Sequence, residues 1–239
     1  MIFTAVLVLI GSYFIGSISF GRILVRLLSP EGDIRAVTDK VKGDSPDDDA
    51  PDLPIGANTV SIAIGQRGSG MVAMLDILKG ALPTLAVRLL FPGQSYYLIA
   101  AFGAMMGHIW PVYYRFAGGQ GFSVLYGALF FVDWLSVPVT AVGGMLIGLF
   151  IVRNYLSMIF ISILILIPWL WLRTSDPAHI AFAIGVNLLF DLAMLKPMIY
   201  HFRQPPEERR KTDEFLEQLP MWKGMRKIMD FFNIKPRVL

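Results

Sequence analysis

Three glycines in a run of four residues, Gly118, Gly119 and Gly121, interrupt an apolar part of the chain shortly after the cation Arg115. Glycines let a backbone turn tightly and direct several N–H groups into one concavity. The apolar segment that resumes at Phe122 would begin a helix, whose dipole adds to the attraction for an anion. The residue types and their spacing therefore predict a phosphate-binding loop. A flexible connection between two helices is the alternative.

Asp76 and Lys79 form a second polar group, inside an apolar segment. Residues three apart lie on one face of a helix, where an acid and a base can pair. Charged side chains inside a membrane-spanning segment are costly, so each is a candidate functional residue. The two interpretations are a self-neutralising pair that lets the helix insert, and a polar cavity reached from the cytoplasm and lined by either residue.

The elements that must position these residues are predicted to be membrane helices. Hydrophobic residues make up 55% of the chain and charged residues only 16%, whereas an ordinary soluble domain has about 25% charged residues. The chain has no Cys, which excludes disulfides and thiolate metal sites, and no His cluster of metal-binding spacing. We expect no metal, no cofactor and no nucleic-acid partner.

Seven apolar runs are long enough to span a bilayer as helices, at residues 2–28, 69–91, 95–114, 121–134, 135–152, 155–172 and 177–200. The fold class is therefore an all-α, polytopic membrane helix bundle, although the fourth and fifth runs could instead form one re-entrant unit. The distribution of Lys and Arg favours an N-terminus outside and a C-terminus in the cytoplasm. This orientation predicts a multi-pass plasma-membrane protein with the glycine loop at the cytoplasmic surface.

Two segments have the composition of soluble chain. An acidic cytoplasmic loop at residues 31–67 interrupts a membrane domain that covers residues 1–200, and eight of the residues from Glu31 to Gln66 are acidic against three basic. A basic cytoplasmic tail follows at residues 201–239. Its mixture of Trp, Phe, Met and Lys suits an interfacial amphipathic helix, and a solvated tail is the alternative.

The first span carries small residues that permit close helix packing, at Gly16, Ser17, Ser19 and Gly21. Arg22 and Arg26 follow them, and their long side chains can reach the cytoplasmic face from within the span. His108 and Pro111 are predicted to end the third helix.

Three segments in order resemble the signatures of the bacterial integral-membrane acyl-phosphate:glycerol-3-phosphate acyltransferases. They are GSISFGRIL in the first span, LDILKGALP in the second, and GHIWPVYYRFAGGQG before the fourth. The resemblance implies seven spans and a cytoplasmic active site that moves a fatty acyl group from acyl phosphate to the sn-1 hydroxyl of glycerol 3-phosphate. The products would be lysophosphatidic acid and phosphate, in the first step of phospholipid synthesis. The implied partners are these two substrates and membrane lipids; no protein partner is identified.

The resemblance also implies roles for individual residues. The substrate-binding residues that it implies come from three motifs. The glycine motif and the His before it supply Gly118, Gly119, Gln120, Gly121 and His108. GANT, a remnant of the family's first motif, supplies Gly56, Asn58 and Thr59 with Arg67 nearby, and the loose match RNYLSM supplies Ser157. As catalytic residues the resemblance assigns Lys79, Arg153 and His201. Imidazole exchanges protons near neutral pH, so His201 is a candidate general base; a phosphate oxygen of the substrate is the alternative.

The departures from the family pattern lie where the chemistry would occur. An acidic insertion disrupts the first motif, Gln120 stands in place of the Lys of the glycine motif, and Gln204 replaces an Asn near the last helix. Losing a charge-assisted hydrogen bond weakens phosphate binding by about 1.5–3 kcal/mol. Three interpretations remain: an active acyltransferase, a catalytically impaired relative that binds acyl phosphate, lysolipid or a partner subunit, and a small transporter or structural membrane protein.

Overall fold

The computed structural model describes residues 1–29, 34, 54–153, 155–216 and 220–234, and every regular element in these ranges is a helix. Most of the predicted acidic loop, residues 31–33 and 35–53, lies outside the described residues. The same holds for residues 235–239 at the end of the predicted tail.

The first half of the chain contains α1 (Ile2–Gly16), α2 (Phe20–Leu28), α3 (Ala57–Leu90), α4 (Tyr96–Ile109) and a 3-10 turn at Val112–Tyr114. The second half contains α5 (Phe122–Val132), α6 (Ser136–Met145) with its π-helical continuation Leu146–Val152, α7 (Tyr155–Leu164), α8 (Leu166–Thr174) and α9 (Pro177–Arg203). Two tail helices follow, α10 (Pro206–Leu216) and α11 (Pro220–Phe231).

Four stretches are long and apolar enough to cross a membrane: Ile2–Leu28, Ala57–Leu90, Ser157–Thr174 and Pro177–Arg203. Phe122–Val132 and Ser136–Val152 are apolar but shorter. Large apolar side chains stay exposed on the bundle, as expected for a protein whose solvent is lipid: Leu172 is 77% exposed and Leu89 70%. The predicted all-helical membrane bundle is confirmed.

Several helix boundaries differ from the sequence prediction, most clearly those of the first two spans. The first span is broken, because α1 ends at Gly16 and α2 starts at Phe20, with Ser19 in an extended conformation. The second long helix begins at Ala57, twelve residues before the predicted start. This helix is kinked at Ile64 and Gly65, where Gly65 adopts a φ of +71° that suits glycine.

Glycines allow two helix pairs to pack with their backbones nearly in contact. A Cβ atom at Gly16 would overlap the backbone of Ala104, which brings α1 against α4. A Cβ atom at Gly80 would overlap the carbonyl of Val124, which brings α3 against α5. The predicted role of small residues in helix packing is confirmed at Gly16.

The tail helix α11 packs back onto the bundle. Trp222, Met225 and Met229 are buried in the same apolar core as the membrane helices, and the ring of Phe232 lies 5.1 Å from that of Phe150. Spacings of three and four residues place these side chains on one face of the helix. The apolar face predicted to enter a membrane interface therefore contacts protein.

Polar contacts fasten the end of the bundle opposite the glycine loop. Asp133 accepts hydrogen bonds from Ser136 at 2.9 Å and from the Trp169 indole at 2.7 Å. Arg88 donates to the carbonyl of Phe131. At the same end, a hydrogen bond of 2.9 Å joins the Tyr97 hydroxyl and His179 Nε2, and His179 Nδ1 lies 2.7 Å from an oxygen of Asp176.

Candidate functional site

The glycine loop, residues 115–121, leaves α4 and enters α5 through an unusual backbone. Arg115 and Phe116 both have positive φ, at 52° and 60°, and Gly121 follows at 83°. Left-handed backbone at two successive non-glycine residues is strained and persists only where the surrounding structure enforces it. The loop therefore forms a tight turn with left-handed backbone at three positions.

The loop packs directly on the last turn of α4. The N–H of Gly119 donates to the carbonyl of His108 at 3.0 Å. A Cβ atom at Gly118 would overlap that carbonyl, and a Cβ atom at Gly119 would overlap His108 Nε2. Glycine is required at both positions because of this close approach, and one ring nitrogen of His108 faces the loop backbone.

The same loop contacts the start of α3. The N–H of Ile55 donates to the carbonyl of Gly118 at 2.9 Å, and the Thr59 hydroxyl donates to the carbonyl of Pro54 at 2.6 Å. Gly56 is the N-cap of α3 and Gly121 is the N-cap of α5, and neither offers a side chain to the N–H groups of the first turn. Two helix N-termini therefore converge on one loop, and their N–H groups and dipoles favour an anion.

A buried ion pair lies beneath the loop. Lys79 Nζ lies 2.9 Å from Asp76 Oδ1 and donates to the carbonyl of Ile18 at 2.8 Å, in the break between α1 and α2. His108 Nδ1 lies 3.8 Å from the same carboxylate oxygen. All three charged or ionisable side chains are buried. The pair that the spacing predicted is present, and it connects the helix break to His108 and so to the loop.

Gln120 extends from the loop toward α9. Its side-chain amide donates to the sulfur of Met194 at 3.1 Å. His201 lies seven residues after Met194 on the same helix, which is two turns and about 10 Å along the same face. Its ring is half-buried and stands edge-on to that of Phe202, with 5.7 Å between centroids. The contacts of Gln120 thus link the loop to the helix that carries His201.

The remaining predicted residues differ in their exposure. Arg153 is exposed, with a φ of 62°, at the end of the π-helix. Arg67 is exposed on α3 just beyond the kink, whereas Asn58 and Ser157 are half-buried. Among the described residues, no hydrogen bond or ion pair joins Arg67 or Arg153 to the glycine loop.

Arg22 contacts the loop, although the sequence indicated only that it could reach the membrane surface. Its terminal nitrogen donates to the carbonyl of Ala117 at 2.9 Å, and its guanidinium lies 4.9 Å from the centre of the Tyr114 ring. The available signal was a charged residue inside the first span, the same signal that singled out Lys79. Only the packing of α2 beside the loop distinguishes Arg22 from Arg26, which is exposed.

A groove of about 530 Å³ runs along α9 toward the end that carries His201. Its lining is largely apolar and consists of Phe160, Asp191, Leu195, Met198, Ile199, Phe202 and Arg203. The lining residues of α9 recur at spacings of three and four, so they form one stripe of the helix. From Asp191 to Arg203 this stripe extends for about 18 Å.

Within the described ranges, no three His, Asp or Glu side chains are grouped closely enough to hold a metal ion. The donors around the loop include the first-turn N–H groups of the helices that start after Gly56 and Gly121, the Gln120 amide and the Arg22 guanidinium. Such a set binds anions.

Comparison with known families gives one match over most of the chain. The model of the family described as "Glycerol-3-phosphate acyltransferase" matches residues 6–206. A protein of that name from Brucella ovis is 32% identical over 190 residues, which cover 79% of this chain and 86% of the relative. A protein of that name from Myxococcus xanthus is 37% identical over 127 residues, which cover 53% of this chain and 58% of the relative.

Comparison with solved structures agrees on the fold. The crystal structure of PlsY (YgiH), an integral membrane glycerol 3-phosphate acyltransferase, in its lysophosphatidic acid form, superposes with a TM-score of 0.66. It is 22% identical, and the match covers 82% of this chain and 90% of that one. The glycerol 3-phosphate form gives a TM-score of 0.64 with the same identity and coverage.

Proposed function

The chain belongs to the glycerol-3-phosphate acyltransferase family, and we propose that it transfers a fatty acyl group from acyl phosphate to glycerol 3-phosphate at the glycine loop. The observation that carries this proposal is the convergence of two helix N-termini on the loop, one starting after Gly56 and the other after Gly121. Both substrates are phosphate anions, which such a site binds through backbone N–H groups.

The reaction needs no covalent enzyme intermediate. The sn-1 hydroxyl oxygen attacks the acyl carbonyl carbon, the bond from that carbon to the phosphate oxygen breaks, and the hydroxyl proton passes to a base. The products are lysophosphatidic acid and phosphate. Because acyl phosphate is already activated, the protein mainly has to hold two anions in reacting geometry and stabilise the developing oxyanion.

We assign the phosphate-binding role to Gly118, Gly119 and Gly121, with Gln120 and the first turn of α3 around Asn58 beside them. Thr59 fixes the entry to α3 through Pro54. His201 is the proposed proton acceptor, because Gln120 contacts the same face of α9 two turns earlier. Arg153 and Ser157, at the neighbouring α6–α7 turn, are proposed to contact the outer part of the substrates.

In this proposal Lys79 is a positioning residue for the loop. Its ammonium group is buried between Asp76 and the carbonyl of Ile18, so it holds the helix break and the underside of the loop. His108 connects this pair to Gly119. The groove along α9 takes the acyl chain, since its apolar stripe leads toward His201.

For the topology we propose seven crossings with the N-terminus outside. Contacts of Arg22 with Ala117 and of Ile55 with Gly118 lie at the end of the bundle that holds the glycine loop. Contacts of Arg88 with the Phe131 carbonyl and of Tyr97 with His179 lie at the opposite end. The end with the glycine loop and the tail carry most of the Lys and Arg residues, which favours the cytoplasm for that side. The plasma membrane is the proposed location.

The experiment is an assay of purified protein in detergent with palmitoyl phosphate and glycerol 3-phosphate. We expect phosphate release that depends on the acceptor, with lysophosphatidic acid identified by mass. Omitting glycerol 3-phosphate is the first control, and the Gly119→Ala variant, whose new methyl overlaps His108, is the second. Release that does not depend on the acceptor would contradict acyl transfer.

The same preparation separates the alternatives. A catalytically impaired relative that binds acyl phosphate or lysolipid would be stabilised by that ligand against thermal unfolding without forming product. A transporter would move glycerol 3-phosphate into proteoliposomes without acyl phosphate. The interpretation as a family enzyme predicts product formation and no such uptake.

A further inference from the structure

The glycine loop lacks the cation that its motif leads one to expect, because Gln120 occupies that position and donates to a methionine sulfur. The charge of Lys79 is offset by Asp76 at 2.9 Å, and Arg115 is exposed on a left-handed turn. A phosphate dianion at the loop would therefore meet little fixed positive charge from these residues. Another cation must be held close by if binding is strong.

Arg22 is placed to supply that charge. It lies on α2, where Gly21 packs against Val60 and Ile55, the latter at the start of α3. Its guanidinium donates to the carbonyl of Ala117, directly before the glycines of the loop, at 2.9 Å. The α2 helix thus contacts both backbone segments whose N–H groups form the proposed anion site, through Gly21 at the start of α3 and through Arg22 at the loop.

The geometry of the contact suits a guanidinium. A contact of 4.9 Å with the Tyr114 ring orients the plane of the group, and cations are stabilised over aromatic faces. A guanidinium carries five N–H donors in a planar fork, so one group can contact a loop carbonyl and a phosphate together. Partial burial reduces screening by water and salt, which strengthens its attraction for an anion.

We propose that Arg22 is the phosphate-binding cation of this chain and takes over the charge that Gln120 does not provide. The proposal rests on the function proposed above. The ligand chemistry is a phosphomonoester or acyl phosphate dianion, and measuring KM separately for glycerol 3-phosphate and for palmitoyl phosphate distinguishes the two sources.

The test combines three variants with two measurements. Arg22→Gln should raise the KM for one of the two substrates about tenfold and change kcat less. Gln120→Lys in that background should restore most of the loss, because it returns a cation to the loop. Arg26→Gln, one turn later and exposed, should leave both KM values unchanged. The thermal stabilisation by glycerol 3-phosphate and by palmitoyl phosphate is measured on each protein as well.

The outcomes separate the two proposals. An active wild type whose KM values are unaffected by Arg22→Gln would overturn the role of Arg22 and leave the function intact. A KM increase that Gln120→Lys does not reduce would show that Arg22 only supports the loop, which also overturns the proposal. If the wild type forms no product, the proposed function fails, and a stabilisation by either phosphate that Arg22→Gln abolishes would still establish the binding role. The absence of any stabilisation in an inactive wild type would overturn both.

Discussion

The ammonium group of Lys79 donates to the carbonyl of Ile18 at 2.8 Å, across 61 residues of sequence. Ile18 lies in the break between α1 and α2, so its carbonyl is outside both helices and accepts this hydrogen bond from a side chain. The buried cation therefore stabilises a non-helical turn, and its counter-ion Asp76 faces His108 beneath the glycine loop.

Lys79→Met should destabilise the protein by about 3–5 kcal/mol, because it leaves a buried carboxylate without its counter-ion. The double variant Lys79→Met/Asp76→Asn should regain much of the lost stability, since no unpaired charge remains. Thermal unfolding in detergent measures both. A double variant no more stable than the single one would contradict the assignment of the loss to the unpaired charge.

Gly119→Ala should lower kcat/KM about 100-fold, because its methyl overlaps His108 Nε2 and displaces the loop. The matched control is Gly70→Ala, where a Cβ atom has nothing within 4 Å on α3, and we expect unchanged or slightly raised stability with full activity. Equal activity of the two variants would contradict a site at the loop.

Leu195→Trp should shift the preference toward shorter acyl phosphates, by about tenfold in the ratio of kcat/KM values. The larger side chain fills part of the groove along α9. Leu192→Trp is the control, because Leu192 is similarly exposed on that helix but does not line the groove. The measurement compares palmitoyl with octanoyl phosphate; an identical ratio in both variants and wild type would place the acyl chain elsewhere.

Met229→Ala should lower stability by about 2–5 kcal/mol, because this side chain is fully buried where α11 meets the bundle. Phe231→Ala, at a position that is 83% exposed on the same helix, should change it little. Both are compared by thermal unfolding. Equal effects would indicate that α11 does not pack on the bundle in solution.

Asp176→Ala should lower the melting temperature at neutral pH, because the carboxylate caps α9. The hydrogen bond from the Ala178 N–H, followed by the contact with the His179 side chain, holds the pKa of Asp176 below its usual range. A lowered pKa means that the stabilisation is complete above the unfolded-state pKa of about 3.9 and is lost as the pH falls through the folded-state value. The difference in melting temperature from the wild type should thus shrink in acid; a difference independent of pH would contradict the ionised cap.

The sequence by itself determined the class of fold and several local features of the candidate site. Long apolar runs can be accommodated only as spanning helices, because backbone polar groups must be satisfied inside lipid. The spacing of Asp76 and Lys79 sets their pairing, since both lie on one helix. Likewise, the spacing of the glycines at 118, 119 and 121 alone indicates a tight, N–H-rich turn.

Tertiary packing decided the features that depend on contacts between distant parts of the chain. The early start of α3 lies where Ile55 and Val60 pack against Gly21 of α2, and α11 docks on a bundle surface that hydropathy does not describe. Two arginines one turn apart, Arg22 and Arg26, look alike in sequence, yet only the first reaches the loop. Such differences arise from contacts between residues far apart in the chain, and composition and periodicity report only on neighbours along it.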